Sequence, residues 1–197
     1  MVKLADPAGG YSTYTSNGDD GPLSFYASFS HDGPTEYIEM KPPQSDNFSA
    51  GVWHHVVGSA STNQDSPILV VYIDGVKVPF GDNVTGSNFT TLFNGLPLYV
   101  GSDSQTASVI GDMADVWIAP GVSLLDGSGD IPTSTLRKFI SADGKPVYLG
   151  ANGQLPTGSP PAVFLSGDST SFATNQGTGG AFTLTGTLTD ASTSPNN

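Results

Sequence analysis

Apolar and polar residues alternate along much of this chain in short runs, each closed by Gly, Pro, Asn or Asp. Period-two alternation places one face of a strand in a core and the other in water, so these runs predict β-strands rather than helices. Residues 22–29 (PLSFYASF) set Leu23, Phe25, Ala27 and Phe29 against Ser24, Tyr26 and Ser28, and residues 35–40 and 51–58 predict two more strands. The run 67–74 (PILVVYID) is apolar at successive positions, which predicts a central strand covered on both faces. Asp74-Gly75 then signals a two-residue type I′ hairpin returning through GVKVPF. Further strands are predicted at 97–101, 109–118, 147–149, 162–165 and 181–188. In the last of these, Phe182, Leu184, Gly186 and Leu188 oppose a row of threonines. A single helical pattern covers 134–141, where Leu136, Phe139 and Ile140 fall at i, i+3, i+4 and Thr133 or Ser134 follows Pro132 as N-cap.

Composition narrows the function classes. The 197 residues contain no cysteine, so disulfides and thiolate metal sites are excluded. Only 12% of residues are charged, and 18 acidic against 6 basic side chains leave a formal charge of −12. Such a surface repels polyanions, so no nucleic-acid partner is expected. The opening MVKLADPAGG lacks the apolar segment of a signal peptide, and no run is long enough for a membrane helix. Synthesis in a cytoplasm, without membrane insertion, is the expectation. The N-x-S/T triplets at Asn47, Asn83 and Asn88 are then chance matches in an Asn/Thr-rich chain rather than glycan acceptors.

From Gly51 to Ile118 a particular order of features emerges: G-V-W-H-H-V-V, an apolar strand ending Y-I-D-G-V, then L-Y-V-G, then G-D-M-A-D-V-W-I. This order resembles the core of laminin G-like and pentraxin-like domains of the concanavalin A superfamily. The resemblance implies an all-β fold, an antiparallel jelly-roll β-sandwich with at most one or two short helices. It makes residues 1–197 one domain, weakly structured over about 1–20 and frayed over about 191–197. It also puts Trp53 at the sandwich centre. Residues 139–192 (FISADGKPVYLG…TLTDAS) resemble the tails of laminin G-like proteins carried by tailed bacteriophages and prophages. That likeness implies a virion protein, made in the host cytoplasm. The chain departs from the family pattern before residue 22, where a framing strand is expected and the sequence is Gly/Ser/Asp-rich. A partner subunit is expected to cover the resulting edge.

No enzyme site emerges. On a strand His54 and His55 point to opposite faces and cannot share one metal ion without a bulge; His31 is the remaining histidine. Sandwich-fold glycosidases need two carboxylates on one cleft, yet the two glutamates, Glu36 and Glu39, fall on opposite faces of their strand. There is neither a G-x-S-x-G elbow nor a P-loop. No catalytic, cofactor-binding or metal residue is therefore assigned. Calcium is the ligand that the resemblance suggests, through Asp19-Asp20, Asp126 with Asp130, or Asp112. Loop aspartates of this kind more often serve their own turns. A glycan-binding face would combine Tyr26, Tyr37 and Trp117 with Asp115, two residues before the tryptophan. The expectation is a non-enzymatic bacteriophage structural protein, a capsid decoration or head-surface component that docks on other virion proteins and forms a homo-oligomer. The alternative is a carbohydrate-binding adhesion module of a phage tail or head fibre, recognising a cell-surface glycan.

Overall fold

The structure, a computed structural model, describes residues 2–4, 51–61, 68–78, 98–101 and 111–196. The strands expected at 22–29 and 35–40 lie outside the described residues. Among the described residues seven strands and one helix appear in the order β1 (Val2–Leu4), β2 (Val56–Ser61), β3 (Ile68–Ile73), β4 (Val76–Lys77), β5 (Gly111–Met113), β6 (Val116–Ile118), α1 (Thr133–Leu136) and β7 (Val163–Leu165). All pairings are antiparallel: β2-β3-β4 form a three-stranded sheet, while β1-β5 and β6-β7 form two-stranded ones. The fold is all-β, as the alternation predicts.

Burial follows the sequence pattern most closely in β3. Val70, Val71, Tyr72 and Ile73 are consecutive buried residues, so this strand is covered on both faces. Next to it, β2 alternates, with Val57 and Ser59 inward and Gly58 outward. The inward Ser59 is satisfied by accepting a bond from the Leu124 N–H at 3.0 Å. The core joins Val57, Val70 and Tyr72 to Ile131, Leu136, Phe139, Leu149 and Phe164, with Trp117 packed partly against it. A four-residue helix has little stability of its own; α1 persists because Leu136 and Phe139 reach this core. Its N-cap is Pro132, without a side-chain cap, so the expected Thr133 or Ser134 cap does not form. The helical pattern to residue 141 continues as a turn, tied by Arg137 Nη1 donating to the Ser141 carbonyl at 2.6 Å.

Several expected strands take other forms. Residues 98–101 and 147–149 carry no strand, and Ile140 and Pro146 form an isolated bridge instead. The run 109–118 is broken at Ala114-Asp115, where Asp115 adopts φ +55°. Asp tolerates this left-handed conformation better than most residues, and it turns one predicted strand into β5 and β6. Residues 181–188 form no strand and are largely exposed. At the other end, Val2–Leu4 pair with Gly111–Met113, although residues 1–20 were expected to be only weakly β.

Beyond β7 the chain folds without regular elements, stitched by side-chain-to-backbone bonds. Asn175 is the centre of this stitching. Its Oδ1 accepts from the N–H groups of Phe164 (2.9 Å) and Gly177 (3.0 Å), and its Nδ2 donates to the carbonyls of Ala162 and Gly180 (both 3.0 Å). Gly177 must lack a side chain, because a Cβ there would sit 2.6 Å from the Pro161 carbonyl oxygen.

The β3–β4 turn is the predicted hairpin. Asp74 and Gly75 have φ +51° and +79°, positive at both central positions as type I′ requires. Asp74 also does what turn chemistry alone does not reveal. Its Oδ1 accepts from the His55 N–H at 2.8 Å, its Oδ2 meets His54 Nδ1 at 2.7 Å, and its own N–H donates to the His55 carbonyl at 2.8 Å. An ionised carboxylate only accepts, so the His54 proton sits on Nδ1. The hairpin is thereby clamped to the segment leading into β2. Trp53 is not at the sandwich centre: it is half-buried, and its indole N–H donates to Thr193 Oγ1 at 3.1 Å on the exposed side. Turning inward would strand the indole N–H, whereas a half-exposed position pairs it.

Two outcomes follow from this junction. Asp74→Ala loses both acceptors and should cost about 1–3 kcal/mol in urea unfolding. Asp74→Asn tolerates the left-handed turn and keeps an acceptor for the His55 N–H, so it should lose clearly less. Equal losses would show that neither the turn preference nor the acceptor that asparagine keeps stabilises the junction. The second outcome concerns His55, which is 8% exposed with a buried Nδ1 that has no hydrogen-bond partner. Burial above all pushes its pKa down from 6.5 to about 4. The unfolded chain therefore binds a proton that the folded chain refuses between these values. Stability should be full above about pH 6.5, fall as the pH is lowered to about 4, and lose no more through this group below that. The loss is on the order of 3 kcal/mol. His55→Phe should flatten this part of the profile in pH-resolved chemical denaturation; an unchanged slope would mean that His55 titrates normally in the fold.

Candidate functional site

Of the residues singled out for a glycan face, the structure describes Trp117 and Asp115. Tyr26 and Tyr37 lie outside the described residues. Trp117 is turned to the core side of β6, where it meets Phe139 edge-on at 5.3 Å between ring centroids and donates its indole N–H to the Gly153 carbonyl at 2.9 Å. The aromatic ring is thus committed to packing. Of the two described residues, Asp115 opens onto a cleft and Trp117 does not.

That cleft has a volume of about 420 Å³ and is bordered by Asp115, Tyr148, Gly150, Ser166, Gly167 and Gln176 among others. It exists because β6 and β7 pair in a fixed register, with Val116 opposite Leu165. One step beyond that pair, Ser166 Oγ donates to Asp115 Oδ1 at 2.6 Å. Gln176 is anchored twice, through its N–H to the Phe164 carbonyl (2.8 Å) and through Nε2 to the Ser166 carbonyl (2.7 Å). Tyr148 stands at the rim, 72% exposed. Two glycines keep the floor open: at Gly150 (φ +96°) a Cβ would strike the Gln154 side chain, and at Gly167 (φ +119°) it would strike Ser171 Oγ. Sequence reading missed Tyr148, Ser166 and Gln176. Tyr148 falls in a run predicted as a strand, and the other two reach the cleft only through the β6–β7 register.

Of the aspartates considered for calcium, Asp126 and Asp130 serve other partners. Asp126 Oδ1 accepts from the Ser128 N–H (2.8 Å) and Oγ (2.6 Å) in a tight turn, and these bonds, the hydroxyl's first, hold its pKa below the usual carboxylate value. Asp130 pairs with Lys77. Asp168 is likewise lowered, first through the Thr170 and Ser171 hydroxyls. Asp19 and Asp20 lie outside the described residues, as do Glu36, Glu39 and His31. Among the described residues no group of three or more His, Asp or Glu side chains is placed to hold a metal ion. No described helix is long and apolar enough to cross a membrane.

Comparison with known proteins agrees with this architecture. No curated protein and no solved structure matches the chain. A family model of the laminin G type, described as the concanavalin A-like lectin/glucanases superfamily, matches residues 2–122. Asp115 is the one cleft residue inside that match; the rest of the lining comes from residues 148–176. The match takes in β1 to β6, the hairpin and the His54–Asp74 clamp, and on it the chain belongs to the concanavalin A-like lectin/glucanase superfamily.

Proposed function

We propose that this chain is a non-enzymatic surface protein of a tailed-bacteriophage virion, a head decoration component that docks on neighbouring virion proteins and on copies of itself. The observation that carries the reading is the segment after Gly180. It has the strict alternation of a strand, Phe182, Leu184 and Leu188 against threonines, yet it forms no strand and leaves Leu184 48% and Leu188 36% exposed. Among the described residues this strand-patterned segment has no ladder partner, and main-chain pairing with another protein's sheet edge would supply one. Sparse charge supports the same reading, because few like charges oppose close approach of neutral β-surfaces. The virion assignment draws its support from the resemblance of residues 139–192 to phage laminin G-like tails.

The test uses the purified chain and particles of its phage stripped of it. Wild type should self-associate at micromolar concentration in sedimentation equilibrium and rebind the stripped particle. Burying one leucine is worth about 1.5–3 kcal/mol, so Leu184→Asp or Leu188→Asp should weaken rebinding about tenfold or more. Both changes are at exposed positions and should leave the fold intact. A stable monomer with no affinity for the stripped particle that instead binds cell-surface glycans would replace this reading with the adhesion-module alternative.

A further inference from the structure

The cleft between Asp115 and Tyr148 has a chemistry of its own. Asp115 uses Oδ1 to accept from Ser166, and among the described residues nothing takes Oδ2. Gln176 uses its N–H and Nε2 internally, and among the described residues nothing takes its Oε1. The Tyr148 hydroxyl likewise has no partner among the described residues, and the ring is 72% exposed. The groups left for a ligand are thus a carboxylate oxygen, an amide oxygen and an aromatic face. None of the residues lining the cleft is basic, and the chain as a whole carries −12. Each of these features favours positive charge. The carboxylate pairs with it directly, the amide oxygen accepts its N–H groups, and the ring face attracts a cation through its quadrupole.

Resting on the docking reading above, we infer that this cleft is a socket for a lysine or arginine side chain presented by the partner protein. A volume of about 420 Å³ admits a long basic side chain together with its solvent. The Asp115–Ser166 bond fixes the carboxylate before binding, so little ordering remains to oppose association. The socket supplies orientation, while the segment after Gly180 supplies apolar contact. Nearly all of the lining falls beyond residue 122, the end of the family match. The site thus belongs to the C-terminal portion of this chain rather than to the matched core.

The test has two parts. Nα-acetyl-lysine methylamide and Nα-acetyl-arginine methylamide are titrated separately into the ¹⁵N-labelled chain. Amide shifts should cluster at residues 115, 148–151, 166–167 and 176, and weaken with added salt. Nα-acetyl-glutamine methylamide and methyl glucoside should leave those amides unmoved. Asp115→Asn suits the backbone at φ +55° and keeps the acceptor for Ser166; Tyr148→Ser alters an exposed rim. Each should weaken basic-probe binding roughly threefold to tenfold. In the second part both variants are applied to the stripped particle, where each should lower affinity by a similar factor. Cluster shifts with methyl glucoside but not with the basic probes would overturn the inference, as would no shifts with either. Variants that rebind like wild type would overturn the socket while leaving the docking reading standing. Failure of wild type itself to rebind would sink the docking reading, and with it the socket.

Discussion

Antiparallel pairing of β6 with β7 is the constraint on which both the core and the Asp115 cleft depend. Three residue pairs, Val116–Leu165, Trp117–Phe164 and Ile118–Val163, join the family-matched region to the chain that follows it. Register in such a pair is all or nothing, since a slip of one residue turns every side chain to the opposite face. In the observed register Phe164 enters the core and Trp117 packs partly against it, while Asp115 and Ser166 meet just past the end of the ladder. Core packing and cleft geometry are therefore set by the same few backbone bonds.

The two ends of the β2-β3-β4 sheet are held by different physics. Its centre is hydrophobic burial, with β3 covered on both faces. Its hairpin end is polar, with one carboxylate serving a backbone donor and a ring nitrogen on the segment before β2. The cost of that arrangement falls on His55, whose buried Nδ1 finds no partner. A buried polar atom left unpaired is tolerable in a neutral imidazole and expensive in a charged one. The junction thus ties sheet geometry to protonation state without any catalytic role being required.

What could be read in the sequence was whatever local chemistry dictates. The Asp74-Gly75 hairpin was legible because positive φ at two successive residues is a property of those residues. The doubly covered β3 was legible because four consecutive buried apolar positions have few other homes, and β7 followed from the same kind of run. The break at Asp115 was not, since VIGDMADVWI is rich enough in apolar residues to be taken as one strand, and the left-handed Asp115 appears only in the structure. Trp53 misled because a family-like motif predicts burial, while its indole N–H finds a partner at the surface. Trp117, offered as part of a glycan face with Tyr26, Tyr37 and Asp115, packs edge-on against the ring of Phe139, a tertiary contact that the sequence does not display.

The segment after Gly180 shows where pattern and structure part most clearly. Alternation specifies which face of a strand would be apolar, but a strand also needs a ladder partner for its N–H and C=O groups. Within the described chain this segment is tied by side chains instead: Asn175 Nδ2 donates to the Gly180 carbonyl and the Ser169 N–H donates to Asp190 Oδ1. Between those two anchors every residue but the half-buried Phe182 is exposed. Anchors at both ends restrain the segment, which would lower the ordering cost of pairing it in the docking proposed above. Threonines at alternate positions add β-propensity without adding charge. Pattern, anchoring and exposure are each ordinary, and their coincidence in one segment is what a pairing surface requires.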